Sequence, residues 1–289
     1  MRSARARTNV ARTAHLTAWV RTLGRLTVPG DAANADYLAE RFLLPFQRRL
    51  NRAPRLTRWL LERALPGAFG YFNARTQYFD DVLQHEIGAG IDQLVILGAG
   101  FDSRALRFAA RLRSTRVFVV DMPEVLFVRT NRLAGVDVSC VSIPIDFERE
   151  QLAQALLTHG CLSDVRTVFL WEGVTYYLRL EQVRSVLSTA ASFGAPGSSV
   201  LFDYVTLSFF EGDRNSYGAS RLADSWRRLG NVNQSGIGDV DAFVRSCGLT
   251  LKSDIGAAEL ERRYLAPLAG GAIRAWGAMR IAHAISITI

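Results

Sequence analysis

The sequence predicts an α/β protein built on a mostly parallel sheet with helices on both faces. Three observations point there. Between residues 92 and 207, short apolar runs alternate with helical stretches of ten or more residues. Each run is nearly continuous in apolar residues, as strands buried on both faces must be. Residues 36–86 show helical spacing alone. After residue 240 the alternation gives way to two strand-like stretches joined by a loop, which suits an antiparallel hairpin at a sheet edge.

Taken in order, ADYLAERFLLPFQRRL, RLTRWLLERAL and TQYFDDVLQHEI place apolar residues three and four apart and read as helices of an N-terminal cap. Pro45, Pro54 and Pro66-Gly67 punctuate them. QLVILGAG is a buried strand and SRALRFAARLR the helix after it. TRVFVVDMP is the second strand, PEVLFVRTNRLAG a helix with an early proline, and DVSCVSIPIDF the third strand. EREQLAQALLTHG is helical, VRTVFLWEGVTYYL opens with a fourth strand, LEQVRSVLSTAASFG is helical, and PGSSVLFDYVTL is the fifth strand. Right-handed crossovers make such a sheet doubly wound. DVDAFVRSCGLTLKSDI then runs from helix into strand, and AMRIAHAISITI is a terminal strand. The expected division is a helical cap over 1–88 and a main domain over 89–289, with a lid insertion at about 206–236.

Composition bounds the function. A chain of 289 residues with 49% hydrophobic and 10% aromatic content can bury a large core. The net charge of +8 is almost wholly arginine, with Lys252 the only lysine. These arginines are spread along the chain and not set in one stripe between aromatics, so nucleic acid is not an expected partner. No apolar run reaches the length of a membrane span, and no membrane partner is expected either. Cys140, Cys161 and Cys247 are odd in number, widely spaced and without a CxxC pair, which argues against a disulfide framework or a metal site and fits the cytoplasm. The first thirty residues carry arginines but no acid, and lack the unbroken apolar stretch of a secretory signal. A mitochondrial presequence is compositionally possible; a solvated basic helix is the plainer reading.

The motif of most interest is LVILGAGFDSR, a strand ending in Gly98-x-Gly100 and turning into a helix. Glycines there allow a sharp turn and let a ligand approach the backbone, while a helix start offers N–H groups and a positive dipole end. Asp121 ends the next strand, about 20 residues on, as in dinucleotide-binding units. Yet Ser103 stands at the third glycine position, and Asp102 would repel a pyrophosphate. A ligand with an ammonium group and no phosphates avoids that penalty, and S-adenosylmethionine is one. Asp102 suits either an N-cap or such a ligand. Asp121 could accept from both ribose hydroxyls. Asp146 and Phe147 follow the third strand, where a carboxylate and a ring could meet an adenine. Glu172 follows the fourth, beside Trp171, Tyr176 and Tyr177, and a buried carboxylate there needs a cationic partner. All three strand-end acids lie on the carboxyl edge where open α/β sheets bind ligands.

ARTQYFDD, LVILGAGFDSRALRF, VFVVDMPEV, IPIDF and FLWEGVTYYL, in this order and spacing, resemble the leucine carboxyl methyltransferase family, above all its bacterial branch of S-adenosylmethionine-dependent methyltransferases. The resemblance covers about 70–205 and extends more loosely through FVRSCGL, ERRYLAP and the last strand. Before residue 70 it holds only around ADYLAERFL, which leaves any N-terminal cofactor contact and the substrate open. It implies a Rossmann-like class I methyltransferase fold with a seven-stranded sheet, an antiparallel C-terminal edge hairpin and S-adenosylmethionine as cofactor. It further implies that Arg75 pairs with the methionine carboxylate and that Gly98, Gly100 and Asp102 form the cofactor turn. Asp121, with Met122 beside it, would hold the ribose, Asp146 and Phe147 would lie by the adenine, and Glu172 by the methionine moiety.

Methyl transfer needs the nucleophile and methyl carbon in near-attack geometry with water excluded. A carboxylate acceptor needs no base; a phenol or alcohol needs one, usually histidine. None of His15, His85, His159 and His283 sits in a base motif, and His85 is the least implausible; His283 reads as a satisfied core residue. Tyr176, Tyr177 and Tyr204 could orient an acceptor or simply pack. The lid aromatics Phe209, Phe210, Tyr217 and Trp226 suit a small hydrophobic acceptor of secondary metabolism, O-methylated at a carboxyl or hydroxyl. Two competing readings remain: an NAD(P)-dependent oxidoreductase on the same strand–turn–helix, and a cofactor-binding protein without catalysis. The oligomeric state is not legible.

Overall fold

The computed structural model describes residues 4–30, 33–136, 139–229, 235–266 and 273–286. They form two compact units. The first comprises Met1–Asp80, Ser208–Val232 and Ile255–Met279, and the second Asp81–Leu207, Asn233–Asp254 and Arg280–Ile289. Parts of the expected lid, of ERRYLAP and of the terminal strand fall outside the described residues.

The chain opens with helix α1 (Ala4–Thr27), whose second half is not solvated as the basic composition implied. Ala18, Val20 and Leu23 are wholly buried, and Arg21 Nε pairs with Asp36 Oδ2 at 3.0 Å. ADYLAERFLLPFQRRL does not form one helix. A 3-10 turn at Ala39–Phe42 is followed by α2 (Pro45–Leu50), because the ring of Pro45 holds Leu44 extended, at φ −74° and ψ 155°. Helix α3 (Pro54–Ala64) also starts on a proline, and α4 (Ala68–Gly88) completes the N-terminal series, its residues up to Asp80 belonging to the first unit.

The second unit carries the alternation. In order come β1 (Gln93–Leu97), α5 (Arg104–Arg107), β2 (Arg116–Asp121), α6 (Pro123–Arg132), β3 (Val141–Pro144), α7 (Leu152–Thr158), β4 (Thr167–Trp171), α8 (Leu180–Phe193) and β5 (Ser199–Thr206). SRALRFAARLR yields only the one-turn α5, the rest continuing as hydrogen-bonded turns to Leu112. Beyond β5, α9 (Leu207–Phe210) and α10 (Ala219–Leu229) are followed by a two-residue β6 (Gly236–Ile237), which pairs in parallel with the end of β5. Then come α11 (Val240–Ser246), β7 (Leu249–Ile255), α12 (Ala257–Leu260) and β8 (Met279–Ser286). The join between β7 and β8 is thus more than the expected loop: α12 runs into a π-helical turn at Glu261–Leu265, and this stretch belongs to the first unit.

The strand order is β3-β2-β1-β4-β5-β8-β7, seven strands with β6 added at one end of β5. The first five are parallel. Strand β8 runs against β5, since Ser286 at its end pairs with Ser198 just before the start of β5. Strands bury both faces. Val95, Leu97, Phe118, Val120, Phe169, Trp171, Val200 and Phe202 pack one face against α7, α8 and α11, and the alternating Leu94, Ile96, Val119, Leu170 and Leu201 are equally buried. Near-continuous apolar strands are the sequence mark of that double coverage.

Candidate functional site

Chain order reverses between β1 and β4, so the carboxyl ends of these strands flank a topological switch point, where open α/β sheets bind ligands. Register sets what stands there. Leu97 lies beside Val120 and Trp171, and Trp171 beside Phe202. One residue further along each strand come Asp121, Gly98, Glu172 and Asp203. Three acids and a glycine thus share one row at the sheet's edge.

The turn after β1 depends on its glycines. Gly98 and Gly100 take φ of +59° and +44°, a region that side chains rarely adopt. A Cβ on Gly98 would stand 2.3 Å from Val174 Cγ2, whereas one on Gly100 would meet nothing closer than 3.7 Å. Gly98 is therefore fixed by packing, and Gly100 leaves open space above the turn.

Asp121 is buried and its carboxylate accepts from Gly100 N at 2.6 Å and Met122 N at 2.7 Å. Burial pushes its carboxyl up to about 6, against the lowering effect of those two N–H groups and of Arg129. A carboxylate has about four lone-pair positions, so two backbone donors leave capacity for a diol. Met122 caps α6.

Asp102 and Glu172 meet through a residue not singled out from the sequence. Arg104, 1% exposed, donates from Nη1 to Asp102 Oδ2 and, at 2.6 Å, to Glu172 Oε2. Its backbone N–H also reaches Asp102 Oδ1 at 2.6 Å, although the N-cap of α5 is Ser103 and not Asp102. A helix of one turn has little dipole, and charge here comes from side chains instead. Arg129 of α6, also buried, donates to the carbonyls of Gly100 (3.3 Å) and Asp102, clamping the turn from outside. Asp203 accepts from Gly173 N at 2.6 Å and fixes the bend after Glu172, and Thr175 Oγ1 donates to its carbonyl at 2.6 Å. Asp102, Asp121, Glu172 and Asp203 thus bring their carboxylates to this edge together with the buried guanidiniums of Arg104 and Arg129.

Asp146 and Phe147 lie just beyond β3, half-buried. Asp146 accepts from Glu148 N at 3.0 Å, and the Phe147 ring is 6.4 Å from that of Trp171. The β3 neighbour of Asp121 is Pro144, which places Asp146 on the same edge. Arg75 is in the first unit, on α4, 2% exposed, with its guanidinium 5.4 Å and 5.1 Å from the ring centres of Tyr71 and Phe72.

The candidate bases are dispersed. His85 is exposed near the end of α4, beside Glu86 and Ala89, whose side chain and carbonyl take hydrogen bonds from Arg166. Arg166 immediately precedes β4, so His85 is at the amino edge of the sheet, the wrong edge for a catalyst. His283 is buried in β8 with Nε2 3.6 Å from Glu86 Oε1, outside hydrogen-bond range, and burial lowers its ring to about 4. Tyr204 donates to Asp254 Oδ1 at 3.1 Å, and Asp254 is also held by Arg280. Burial raises the phenol, and its hydrogen bond ties Tyr204 to Asp254 on the antiparallel edge strand. Tyr176 and Tyr177 are buried in a 3-10 turn after β4, with ring centres 4.8 Å apart. The lid aromatics Phe209, Phe210 and Trp226 pack on one another at 5.4–6.0 Å.

The family model described as leucine carboxyl methyltransferase matches residues 14–191. YktD of Bacillus subtilis is 34% identical over 141 residues, 47% of this chain and 46% of that protein. Rv1729c of Mycobacterium tuberculosis is 37% identical over 148 residues, 50% of this chain and 47% of that protein. A Parafrankia protein is 31% identical over 224 residues, 75% and 71% of the two chains. The names of all three assign them to the S-adenosyl-L-methionine-dependent methyltransferases. The chain spans about half the length of the Bacillus and Mycobacterium relatives. Among solved structures, a DUF574 family protein from Streptomyces avermitilis superposes with TM-score 0.58 at 15% identity, over 92% of this chain and 96% of that one. An O-methyltransferase family protein from Burkholderia thailandensis gives 0.51 at 16% identity, over 96% and 84%. These likenesses bear on the fold, which is the Rossmann-like class I methyltransferase fold.

Proposed function

Because the chain belongs to the leucine carboxyl methyltransferase family, we propose that it is an S-adenosylmethionine-dependent methyltransferase acting on an oxygen of a small hydrophobic acceptor. The observation that carries the cofactor reading is the acid-rich row beyond the strands. Asp121, Glu172 and Asp203 stand in one row beside a Gly-x-Gly turn with open space over Gly100. Such a surface suits a ligand bearing a sulfonium and an ammonium, and opposes a pyrophosphate. The donor chemistry of the residues present therefore fits the cofactor and disfavours NAD(P).

In this reading Asp121 receives the ribose diol on its remaining lone pairs, and Asp146 with Phe147 borders the adenine. Glu172 and Asp102 supply negative charge toward the methionine amine, with Arg104 orienting both carboxylates. When bound, the cofactor supplies an electrophilic methyl for in-line displacement. The chain's own contribution is positioning and exclusion of water. Arg75 retains its family-implied part as partner of a carboxylate. The second unit brings no histidine to this edge among its described residues, so an acceptor carboxylate, already ionised at neutral pH, suits it better than a hydroxyl.

The test is incubation with S-adenosylmethionine and a panel of hydrophobic carboxylic acids, phenols and alcohols, read by methyl-group mass gain. Esters formed from acids, absent in Asp121→Ala, are the expected outcome. Methylation confined to amines would refute the oxygen specificity. Cofactor binding without turnover on any acceptor would favour a non-catalytic binder.

A further inference from the structure

Within the first unit, α2, α3 and the turn between them present a surface that neither fold nor site explains. Phe46, Leu50, Leu56, Trp59 and Leu60 are 43–56% exposed, although they lie in regular helices. Gln47, Thr57 and Leu61 form the buried side. Thr57 Oγ1 donates to Leu50 O at 2.7 Å, which ties the start of α3 to the end of α2. Arg48, Arg49, Arg52, Arg55 and Arg63 are exposed on the same stretch. Arg55, Trp59 and Arg63 follow one another at a turn's spacing, with the Arg63 guanidinium 5.1 Å from the Trp59 ring centre. The only acid between residues 45 and 64 is Glu62, which turns its carboxylate to the backbone of Phe69 (3.0 Å) and Gly67 (3.4 Å).

We infer that this pair of consecutive helices is a docking face for an anionic phospholipid surface. Exposed leucines, a phenylalanine and a tryptophan interleaved with arginines are the composition of an interfacial helix, whose apolar side chains enter the acyl boundary while the guanidiniums reach phosphate. The charge has one sign, so the partner is anionic. A nucleic acid would satisfy the arginines but has no use for Leu50, Leu56 and Leu60. A second copy of the chain, paired about a two-fold axis, would set these arginines against themselves. No described helix is long and apolar enough to cross a membrane. Along the whole chain the arginines look evenly spread, yet residues 45–64 hold five exposed ones among five exposed apolar residues.

The test is co-sedimentation of the full chain with vesicles of phosphatidylcholine alone and of equimolar phosphatidylcholine and phosphatidylserine. Binding to the anionic vesicles only, abolished by high salt, is expected. The double variant Arg52→Gln/Arg55→Gln should weaken it on the order of 30-fold, from two charges near an anionic surface. Trp59→Ala/Leu60→Ser should weaken it as well, and both variants should keep the wild-type unfolding transition. Absence of binding, equal binding to neutral vesicles, or binding unchanged in either variant overturns the inference. Retention of duplex DNA or single-stranded RNA without vesicle binding would do so too, as would a dimer dissociated by Trp59→Ala.

Discussion

Gly98 and Gly100 sit two residues apart with the same sign of φ, yet the structure assigns them different costs. Alanine at either position meets the left-handed penalty of about 1–2 kcal/mol. At Gly98 its methyl would also stand 2.3 Å from Val174 Cγ2, and forced overpacking adds about 1–3 kcal/mol. Gly98→Ala should therefore lose roughly 2–5 kcal/mol of stability in total. Gly100→Ala should lose only about 1–2 kcal/mol, because its Cβ has a nearest neighbour at 3.7 Å. That same methyl occupies the open space over the turn, so Gly100→Ala should suffer the larger loss of S-adenosylhomocysteine affinity measured on folded protein. Urea denaturation gives the stabilities and calorimetry the affinities. A cycle with Val174→Ala isolates the clash, and a coupling of about 1–3 kcal/mol is expected for Gly98 and near zero for Gly100. Equal stability losses at the two glycines, or no rescue of Gly98→Ala by Val174→Ala, would refute the geometry.

Three other outcomes follow from the same edge. Asp121 titrates near 6, so S-adenosylhomocysteine affinity should fall by about tenfold per pH unit below that value, as calorimetry across pH would show. Because this carboxyl is raised from its ordinary 3.8, the folded state binds more protons than the unfolded one between 3.8 and about 6, and the contribution of Asp121 to stability declines as pH rises through that window. Arg104→Met removes the buried guanidinium that Asp102 and Glu172 share and should cost about 3–5 kcal/mol in urea denaturation, with Arg104→Lys recovering only part for want of a planar fork. Tyr204→Phe removes one hydrogen bond to Asp254, which Arg280 still holds. It should cost about 0.5–1.5 kcal/mol and leave S-adenosylhomocysteine binding unchanged; lost turnover in that variant would reinstate Tyr204 as a catalyst.

The sheet was legible because its strands are buried on both faces and leave continuous apolar runs, and because strand-end acids have few structural uses. The reading located Asp121 and Glu172 by that rule, and the same rule applied to β5 would have found Asp203. Arg104 was missed for a different reason. It stands two residues after Asp102 with no local signal, and only the reversal of chain order between β1 and β4 brings Glu172, 68 residues away, to its guanidinium. Arg129 carries no local signal at all, since its partners are carbonyls of a turn on another element. The broken helix at Leu44 was legible from Pro45, whose effect on the preceding residue outweighs the apolar spacing across it. The burial of α1 was not, because net charge says nothing about which side of a helix packs. The exposed face of α2 and α3 likewise emerges only once Thr57 and Leu61 are seen to take the buried side.

The central claim is that the acid-rich edge receives S-adenosylmethionine. Calorimetric titration of the chain with S-adenosylhomocysteine, NAD and NADP, repeated on Asp121→Ala, tests it most directly. Micromolar binding of S-adenosylhomocysteine, lost in the variant and not seen with either nicotinamide, is the predicted result. Heat with a dinucleotide and none with S-adenosylhomocysteine would contradict it.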